Sequence, residues 1–113
     1  MPRRVRVHAS FARDLESQVN WLVGHAEPDW LDRLESDVGR VIALVGAYPA
    51  AGTAVERRGS IILRRVLMPS TPYLAWYVYD DRARRRDLWL VRLFHSRQRR
   101  PRPDPSLWLS DES

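Results

Sequence analysis

The sequence predicts an α+β domain in which a helical hairpin packs on one face of a small antiparallel sheet, in the order β-α-α-β-β-β. Three observations predict it. A short alternating segment is followed by two stretches with apolar residues at helical spacing, three strand-like stretches come after them, and 113 residues suffice for one domain. We expect a single domain over residues 1–100 and a proline-rich C-terminal tail over residues 101–113.

The first half of the chain supplies the predicted hairpin. Arg3–His8 alternates valine with polar residues, as a half-buried strand does, and Ser10 is the expected N-cap of the first helix. Pro28 suits the first turn of the second helix, which Gly46 and Tyr48-Pro49 should end. The predicted apolar stripes consist of Phe11, Leu15, Val19, Leu22 and Val23 in the first helix and of Leu31, Leu34, Val38, Val41, Ile42 and Val45 in the second.

The second half supplies a three-strand meander. Its predicted strands are Ile61–Met68, Tyr73–Tyr79 and Leu88–Phe94, and Ala50–Arg58 is predicted to be a loop. Because side chains alternate along a strand, the last strand should place Trp89, Val91, Leu93 and His95 on one face and Leu88, Leu90, Arg92 and Phe94 on the other.

Charge divides the chain into an acidic helical half and a basic strand half. Residues 10–47 hold three arginines and seven acids, a net of −4, whereas residues 1–9 and 48–103 hold sixteen arginines and four acids, a net of +12. The final ten residues add −3, which gives the total of +5. All 19 cationic residues are arginine, so no lysine is present to act as a general base. Such an asymmetry steers acidic partners to one side of a domain.

Several function classes find no support in the sequence. The chain has no cysteine, so neither disulfides nor thiolate metal sites can form. Its three histidines lack the clustered spacing of metal ligands, and no triad or glycine-rich phosphate loop is present, so we expect no cofactor and no metal. No apolar stretch approaches the roughly 18 residues of a membrane span, and no secretory signal is recognisable. We expect a cytoplasmic protein with no membrane partner.

Candidate site residues gather on the meander and its C-terminal end. An arginine among aliphatic residues, Arg64 is expected either to pair with a carboxylate at the core edge or to face a ligand. His95 beside Arg97 could shuttle a proton and stabilise charge at a phosphodiester, or it could be a hydrogen-bonded structural residue. The apolar triplet Leu107-Trp108-Leu109 of the tail either docks back on the domain or packs against a partner.

The layout and several short motifs resemble the RelE/ParE superfamily of type II toxin–antitoxin toxins. No single motif is specific, but their order and spacing over residues 5–101 are. The matching pieces are Ser10-Phe11-Ala12-Arg13-Asp14-Leu15 at the first helix, Tyr48-Pro49 with Gly52 after the second, Leu63-Arg64, the aromatic strand into Asp80-Asp81, and Val91 with His95 and Arg97 at the end.

The resemblance implies a toxin neutralised by an antitoxin whose acidic C-terminal segment orders on the basic sheet as a hetero-oligomer. RelE-like members are ribosome-dependent mRNA endonucleases with lysines near the start of the first meander strand and an arginine at the start of the next. This chain has Ser60 and Ile62 at the first two positions and Pro72-Tyr73 at the third, and only Arg97 has a counterpart.

The resemblance is therefore closer to ParE-like members, which inhibit DNA gyrase and are linked with plasmid stabilisation. We expect a protein that binds its target without bond chemistry. The surface expected to bind antitoxin and target consists of Arg64, Arg65, Tyr73, His95, Arg97, Arg99 and Arg100. Two alternatives stay open. One is a divergent ribosome-dependent endonuclease that uses His95 and Arg97 on mRNA, and the other is an interaction protein without toxicity.

Overall fold

The computed structural model describes residues 2–25 and 27–97. The tail at 101–113, including its apolar triplet, lies outside the described residues, as do Arg99 and Arg100. The elements are β1 (Val5–Val7), α1 (Ala9–His25), α2 (Pro28–Ala47), a 3-10 turn (Pro49–Ala51), β2 (Thr53–Arg58), β3 (Ile61–Leu67), β4 (Tyr73–Asp80) and β5 (Leu88–His95). The strands form one sheet in the order β1-β5-β4-β3-β2, in which β1 runs parallel to β5 and the other neighbours are antiparallel.

The predicted α+β architecture is confirmed, but the prediction of a loop over Ala50–Arg58 is wrong from Thr53 onward. Those residues form β2, which pairs antiparallel with β3 through a tight turn at Gly59, whose φ is 60°. The strand was hard to detect because it is an edge strand with a bulge between Ala54 and Glu56 and only one sizeable apolar side chain, Val55. Charged residues and bulges are typical of strands that must not pair further.

Both helices cover the same face of the sheet, which we call the inner face. The stripe of α2 is confirmed, since Leu34, Val41 and Val45 are buried and its other members pack against them. The stripe of α1 is confirmed except at Val23, which is 68% exposed near the end of the helix, where it lines an open cleft. Inner-face strand residues that complete this core are Ile62, Met68, Tyr73, Ala75, Tyr77, Tyr79, Leu88, Leu90 and Leu93.

The opposite, outer face carries a second apolar cluster, which we call the outer cluster. It consists of Leu63, Trp76, Val78, Val91 and Phe94, with Val55, Ile61 and Trp89 packed against it. The predicted alternation along β5 is wrong beyond Val91, because Leu93 faces the inner core and Phe94 the outer cluster. A bulge opposite Trp76 and Tyr77 shifts the register of β5 by one residue and so reverses the faces that follow it.

Beyond the end of β1, the residues around the start of α1 supply the hydrogen-bond partners that a neighbouring strand would otherwise give to β5. The N–H of His8 donates to the Leu90 carbonyl at 2.8 Å, the Ser10 hydroxyl donates to the Val91 carbonyl, and the N–H of Leu93 donates to Asp14 at 2.9 Å. The prediction of Ser10 as N-cap is therefore wrong. It lies inside α1, and its buried hydroxyl satisfies a strand carbonyl that would otherwise lack a partner. Among the described residues, no helix is long and apolar enough to cross a membrane.

Candidate functional site

An open cleft of about 1010 Å³ lies where α1 ends, α2 begins, β4 begins and β5 ends. Its wall on the sheet side is formed by Pro72, Tyr73 and His95. Its wall on the helix side is formed by Ser17, Gln18, Trp21, Leu22, Val23, Gly24, His25, Glu27 and Trp30. Two predicted site residues, Tyr73 and His95, therefore meet on the wall of this cleft.

Tyr73 and His95 are held together by the sheet itself. They are directly opposite in the β4–β5 ladder, and their ring centroids are 5.4 Å apart in an edge-to-face arrangement. The Tyr73 hydroxyl donates to the side-chain carbonyl oxygen of Gln18 at 2.9 Å. Burial raises the pKa of the Tyr73 phenol, so the ring stays neutral at physiological pH and acts as a hydrogen-bond donor.

The orientation of His95 is fixed by the turn that follows it. Its Nδ1 accepts a hydrogen bond from the backbone N–H of Arg97 at 3.1 Å. A neutral imidazole in this arrangement carries its proton on Nε2. Arg97 itself is exposed at the turn after β5, two residues beyond His95. A proton donor or acceptor and a fixed positive charge are thus adjacent.

The loop that introduces Tyr73 is anchored by a buried carboxylate on α2. Asp37 is 0% exposed and accepts hydrogen bonds from the Ser70 N–H at 3.1 Å, the Ser70 hydroxyl at 2.8 Å and the Thr71 hydroxyl at 2.6 Å. Burial acts to raise the pKa of Asp37, but the hydrogen bonds from Thr71 and Ser70 outweigh it and lower the pKa. The carboxylate therefore stays ionised and fixes the loop three residues before Tyr73.

Aromatic side chains form the rim of the cleft on the helix side. Trp21 is 53% exposed and stacks on His25, with centroids 4.6 Å apart and rings within 8° of parallel. Trp30, at the start of α2, is half-buried and lies on the same wall. An exposed stacked pair beside an open cleft is a surface suited to contact with another molecule rather than to the protein's own core.

The remaining predicted cations lie elsewhere. Arg64 is on the inner face, where its guanidinium donates to the Tyr79 hydroxyl at 3.0 Å and to the Gly52 carbonyl at 2.8 Å. Arg64 is thus hydrogen-bonded to a phenol and a carbonyl and not to the carboxylate that we expected as one of its two possible partners. Arg65 is exposed on the outer face, with its guanidinium 5.7 Å from the Trp76 ring. Neither residue joins Tyr73 and His95, since Arg64 is opposite Tyr77, roughly 13 Å along β4 from Tyr73.

Arginines are most concentrated at the far end of the sheet, around the loop between β4 and β5. Several of them pair with acids there, as Arg57 does with Asp81 at 2.8 Å and Arg86 with Asp80 at 3.7 Å. Exposed ion pairs of this kind add little stability. Within residues 2–25 and 27–97, the arginines of the basic half therefore divide over both ends and both faces of the sheet instead of forming one continuous patch.

Sequence reasoning missed Gln18, Trp21 and Trp30 on the cleft wall and Asp37 behind it. One signal was available for Asp37, because it stands three residues after Leu34 and four before Val41, within the apolar stripe of α2. An acid at such a position points to a buried polar contact. Among the described residues, no group of three or more histidine, aspartate or glutamate side chains could hold a metal ion.

Comparison with known proteins identifies the fold. No protein-family profile matches the sequence, and no curated protein is significantly similar to it. The structure, however, matches a chain of the crystal structure of the archaeal RelE–RelB complex from Pyrococcus horikoshii OT3, with a TM-score of 0.59 over 88% of this chain and 100% of that one. The chain has a RelE-like fold. The resemblance predicted from the sequence is thus confirmed for the fold. The two chains share this fold at a sequence identity of only 14%.

Proposed function

We propose that this protein is the toxin of a type II toxin–antitoxin pair, that it is of the ParE-like kind, and that it arrests growth in the cytoplasm by binding DNA gyrase without breaking a bond. Its RelE-like fold supports the toxin assignment. Its proposed contact residues are Tyr73 and His95 on the cleft wall, Arg97, Arg99 and Arg100 after β5, and Arg64 and Arg65, which lie apart from the cleft on opposite faces of the sheet.

The proposal of binding without catalysis rests on the residues at the positions where RelE-like endonucleases have cationic side chains. Ile62 is 3% exposed within the inner core. Tyr73 is buried, and its hydroxyl is occupied by Gln18. Neither side chain can bring charge to a phosphodiester, and removing such electrostatic stabilisation costs several kcal/mol of transition-state binding. What remains at the cleft, an aromatic wall with the two histidines His25 and His95, is suited to binding.

Expression of the full chain in cells and a supercoiling assay with purified protein and gyrase test this proposal. We expect growth arrest and inhibited supercoiling, both weakened by Arg97→Ala. The matched control is Arg40→Ala, which removes an exposed arginine from α2. Unimpaired supercoiling at excess folded protein would count decisively against gyrase as the target.

The endonuclease is a second candidate function because of one specific arrangement. His95 lines the open cleft and its Nδ1 accepts a hydrogen bond from the Arg97 N–H, so an imidazole on the cleft wall is followed two residues later by an exposed arginine. On this alternative the protein would cut mRNA on the ribosome. Primer extension on mRNA from expressing cells separates the two functions, since codon-positioned cuts that vanish with His95→Ala would favour the endonuclease.

The partner that neutralises the protein is proposed to be an antitoxin with an acidic C-terminal segment, bound in a hetero-oligomer. The net charge of +12 over residues 1–9 and 48–103 supports an acidic partner. Because the contacts would be ion pairs near solvent, affinity should fall steeply as salt rises. An affinity that hardly changes with salt would exclude arginine contacts as the main determinant. Growth unaffected by soluble protein would instead indicate an interaction protein without toxicity.

A further inference from the structure

One end of the sheet carries a dense group of arginines, which we call the arginine end. It comprises residues 3–6 at the start of β1, residues 56–60 around the turn between β2 and β3, and residues 80–87 from the end of β4 to the start of β5. These three segments hold nine arginines and four acids, a net of +5. The cleft at Tyr73 and His95 lies at the other end of β4 and β5.

Backbone hydrogen bonds join the three segments into one surface. The N–H of Asp81 donates to the Ser60 carbonyl at 2.8 Å, which connects the β4–β5 loop with the turn between β2 and β3. The N–H of Leu88 donates to the Arg4 carbonyl at 2.9 Å, which connects the other side of the same loop with the start of β1. Arginines that are far apart in the sequence are therefore neighbours at this end of the sheet.

The backbone of the β4–β5 loop is held in place from both sides. The guanidinium of Arg3 donates to the carbonyls of Ala83 at 2.9 Å and Arg86 at 3.2 Å. The carboxylate of Asp80 accepts hydrogen bonds from the N–H groups of Arg82 at 3.0 Å and Ala83 at 3.2 Å. Because this loop is already ordered, its side chains can bind a partner with a smaller loss of conformational entropy than those of a free segment.

The acids of the arginine end do not neutralise all of its arginines. Each of the four acids pairs with one arginine, and these pairs are Arg57 with Asp81, Arg58 with Glu56, Arg86 with Asp80 and Arg6 with Asp87. The exposed arginines of this end that form no ion pair within residues 2–25 and 27–97 are Arg4, Arg82, Arg84 and Arg85. We call the last three the loop arginines. Four guanidinium groups are thus presented to solvent with no acid beside them.

The chemistry of this surface suits phosphate groups on a double helix. A guanidinium group presents paired donors that match phosphate oxygens, and arginines supply many of the backbone contacts in complexes with nucleic acids. The centre of a protein–protein interface is instead apolar and poor in charge, and no exposed large apolar side chain of the described residues lies in the arginine end. The three segments also contain no aromatic residue on which the bases of a single strand could stack.

We propose that the arginine end binds the phosphate backbone of a double-helical nucleic acid, without reading its sequence, through Arg4 and the loop arginines. The eight residues of β4 separate this surface from the cleft by roughly 23 Å, so both surfaces can be occupied at once. The protein would then hold a duplex beside the macromolecule bound at its cleft. This binding does not require gyrase to be the target.

Salt-dependent binding of the full chain to labelled duplexes tests the proposal. Fluorescence anisotropy is measured with a DNA duplex of arbitrary sequence and with an RNA duplex of the same sequence, and the tighter complex identifies the nucleic acid that is preferred. Four phosphate contacts give a slope of about −3.6 for log affinity against log salt, so affinity should fall about 100-fold between roughly 50 and 200 mM salt. Replacing the three loop arginines together by alanine should reduce the slope to about −1 and weaken binding at low salt at least about tenfold.

Two control variants separate local contacts from total charge and from folding. Arg13→Ala, Arg33→Ala and Arg40→Ala together remove the same charge from exposed positions of the two helices, and this variant should keep the wild-type slope. Replacing the loop arginines by lysine keeps their charge and should preserve most of the slope, because the slope counts neutralised phosphates.

Three results would overturn the proposal. The first is absence of duplex binding at low salt by the folded full chain, and the second is an equal loss of affinity in the loop and helix variants. The third concerns an acidic polypeptide as the partner. If polyglutamate lost as much affinity as the duplexes when the loop arginines were replaced by alanine, the surface would recognise negative charge and not phosphate. Since neither growth nor supercoiling is measured, failure of the gyrase proposal would leave these results unchanged.

Discussion

Asp37→Asn should destabilise the protein strongly, although it changes one atom. The carboxylate is fully buried and accepts hydrogen bonds from the N–H of Ser70 and from the hydroxyls of Ser70 and Thr71. Asparagine keeps one acceptor oxygen but places an NH₂ group where the second oxygen was. The Ser70 N–H lies 3.2 and 3.1 Å from the two oxygens, so it keeps only one acceptor, while the NH₂ group adds a new donor to a buried site.

The magnitude follows from the hydrogen bonds that an amide cannot make at this site. A hydrogen bond to a charged group contributes about 1.5–3 kcal/mol, and roughly one or two of those at Asp37 cannot re-form with asparagine. We expect the free energy of unfolding to fall by about 2–3 kcal/mol, and the hydroxyls of Ser70 and Thr71, which can rotate and accept, to limit the loss. In a domain of this size such a change lowers the melting temperature by roughly 10 °C or more.

Chemical denaturation at several pH values measures both the loss and its cause. The matched control is Asp32→Asn, which removes the same charge from an exposed position of the same helix. Since the pKa of Asp37 is lowered in the folded state, its contribution is complete above the unfolded value of about pH 4 and disappears as the pH falls through the folded pKa. The difference between wild type and Asp37→Asn should therefore be constant near neutral pH and shrink below about pH 4.

Two results would refute this reasoning. If Asp37→Asn were no more destabilising than Asp32→Asn, the hydrogen bonds to the loop would not contribute to stability. If the two proteins kept the same stability difference down to the lowest pH at which both fold, the ionised carboxylate would not be what the loop requires.

Three further substitutions test other contacts through the free energy of unfolding. Gly52→Ala should destabilise the protein by more than about 1 kcal/mol, because a Cβ would lie 2.5 Å from a carbonyl oxygen of β3. The control Gly39→Ala, in open space on α2, should instead stabilise it by up to about 1 kcal/mol. Equal effects of the two substitutions would contradict the packing argument. Tyr77→Phe should cost about 1–3 kcal/mol, because its hydroxyl donates to the Pro49 carbonyl at 2.6 Å and accepts from the Gly52 N–H at 2.9 Å. Asp14→Asn should cost about 2–3 kcal/mol, since it weakens the hydrogen bonds to Arg92 and to the β5 backbone, and a loss that high salt abolishes would show that only screened charge was involved.

The element order could be predicted because its signals are local. Helical periodicity in α2 and runs of branched and aromatic residues in β3, β4 and β5 report directly on burial. The signal failed where a structure depends on its neighbours. Thr53–Arg58 becomes a strand because β3 presents a free edge, and Leu93 turns inward because of a bulge opposite Trp76. Neither cause lies within the segment that it changes.

The candidate site was predictable to a similar degree. Tyr73 and His95 could be chosen from the sequence because, in an antiparallel pair, the start of one strand and the end of the other lie at the same end of the sheet. Their common wall could not be predicted, since Gln18 and Trp21 approach them only once α1 has its position on the sheet. The number of arginines also says nothing about their direction. Arg64 and Arg65 are adjacent in sequence, yet the first donates to a carbonyl on the inner face and the second lies over a ring on the outer face.

The contacts that stabilise the domain are also the contacts that shape its cleft. Asp14 fixes the edge of β5 from α1, and Asp37 fixes the loop before β4 from α2. Together they determine where Tyr73 begins one strand and His95 ends the other. Each helix thus sets one side of the Tyr73–His95 pair through a carboxylate that accepts hydrogen bonds from backbone N–H groups. Because these bonds are made to backbone N–H groups, other side chains of the domain can change without moving the Tyr73–His95 pair, which is consistent with a shared fold at 14% identity.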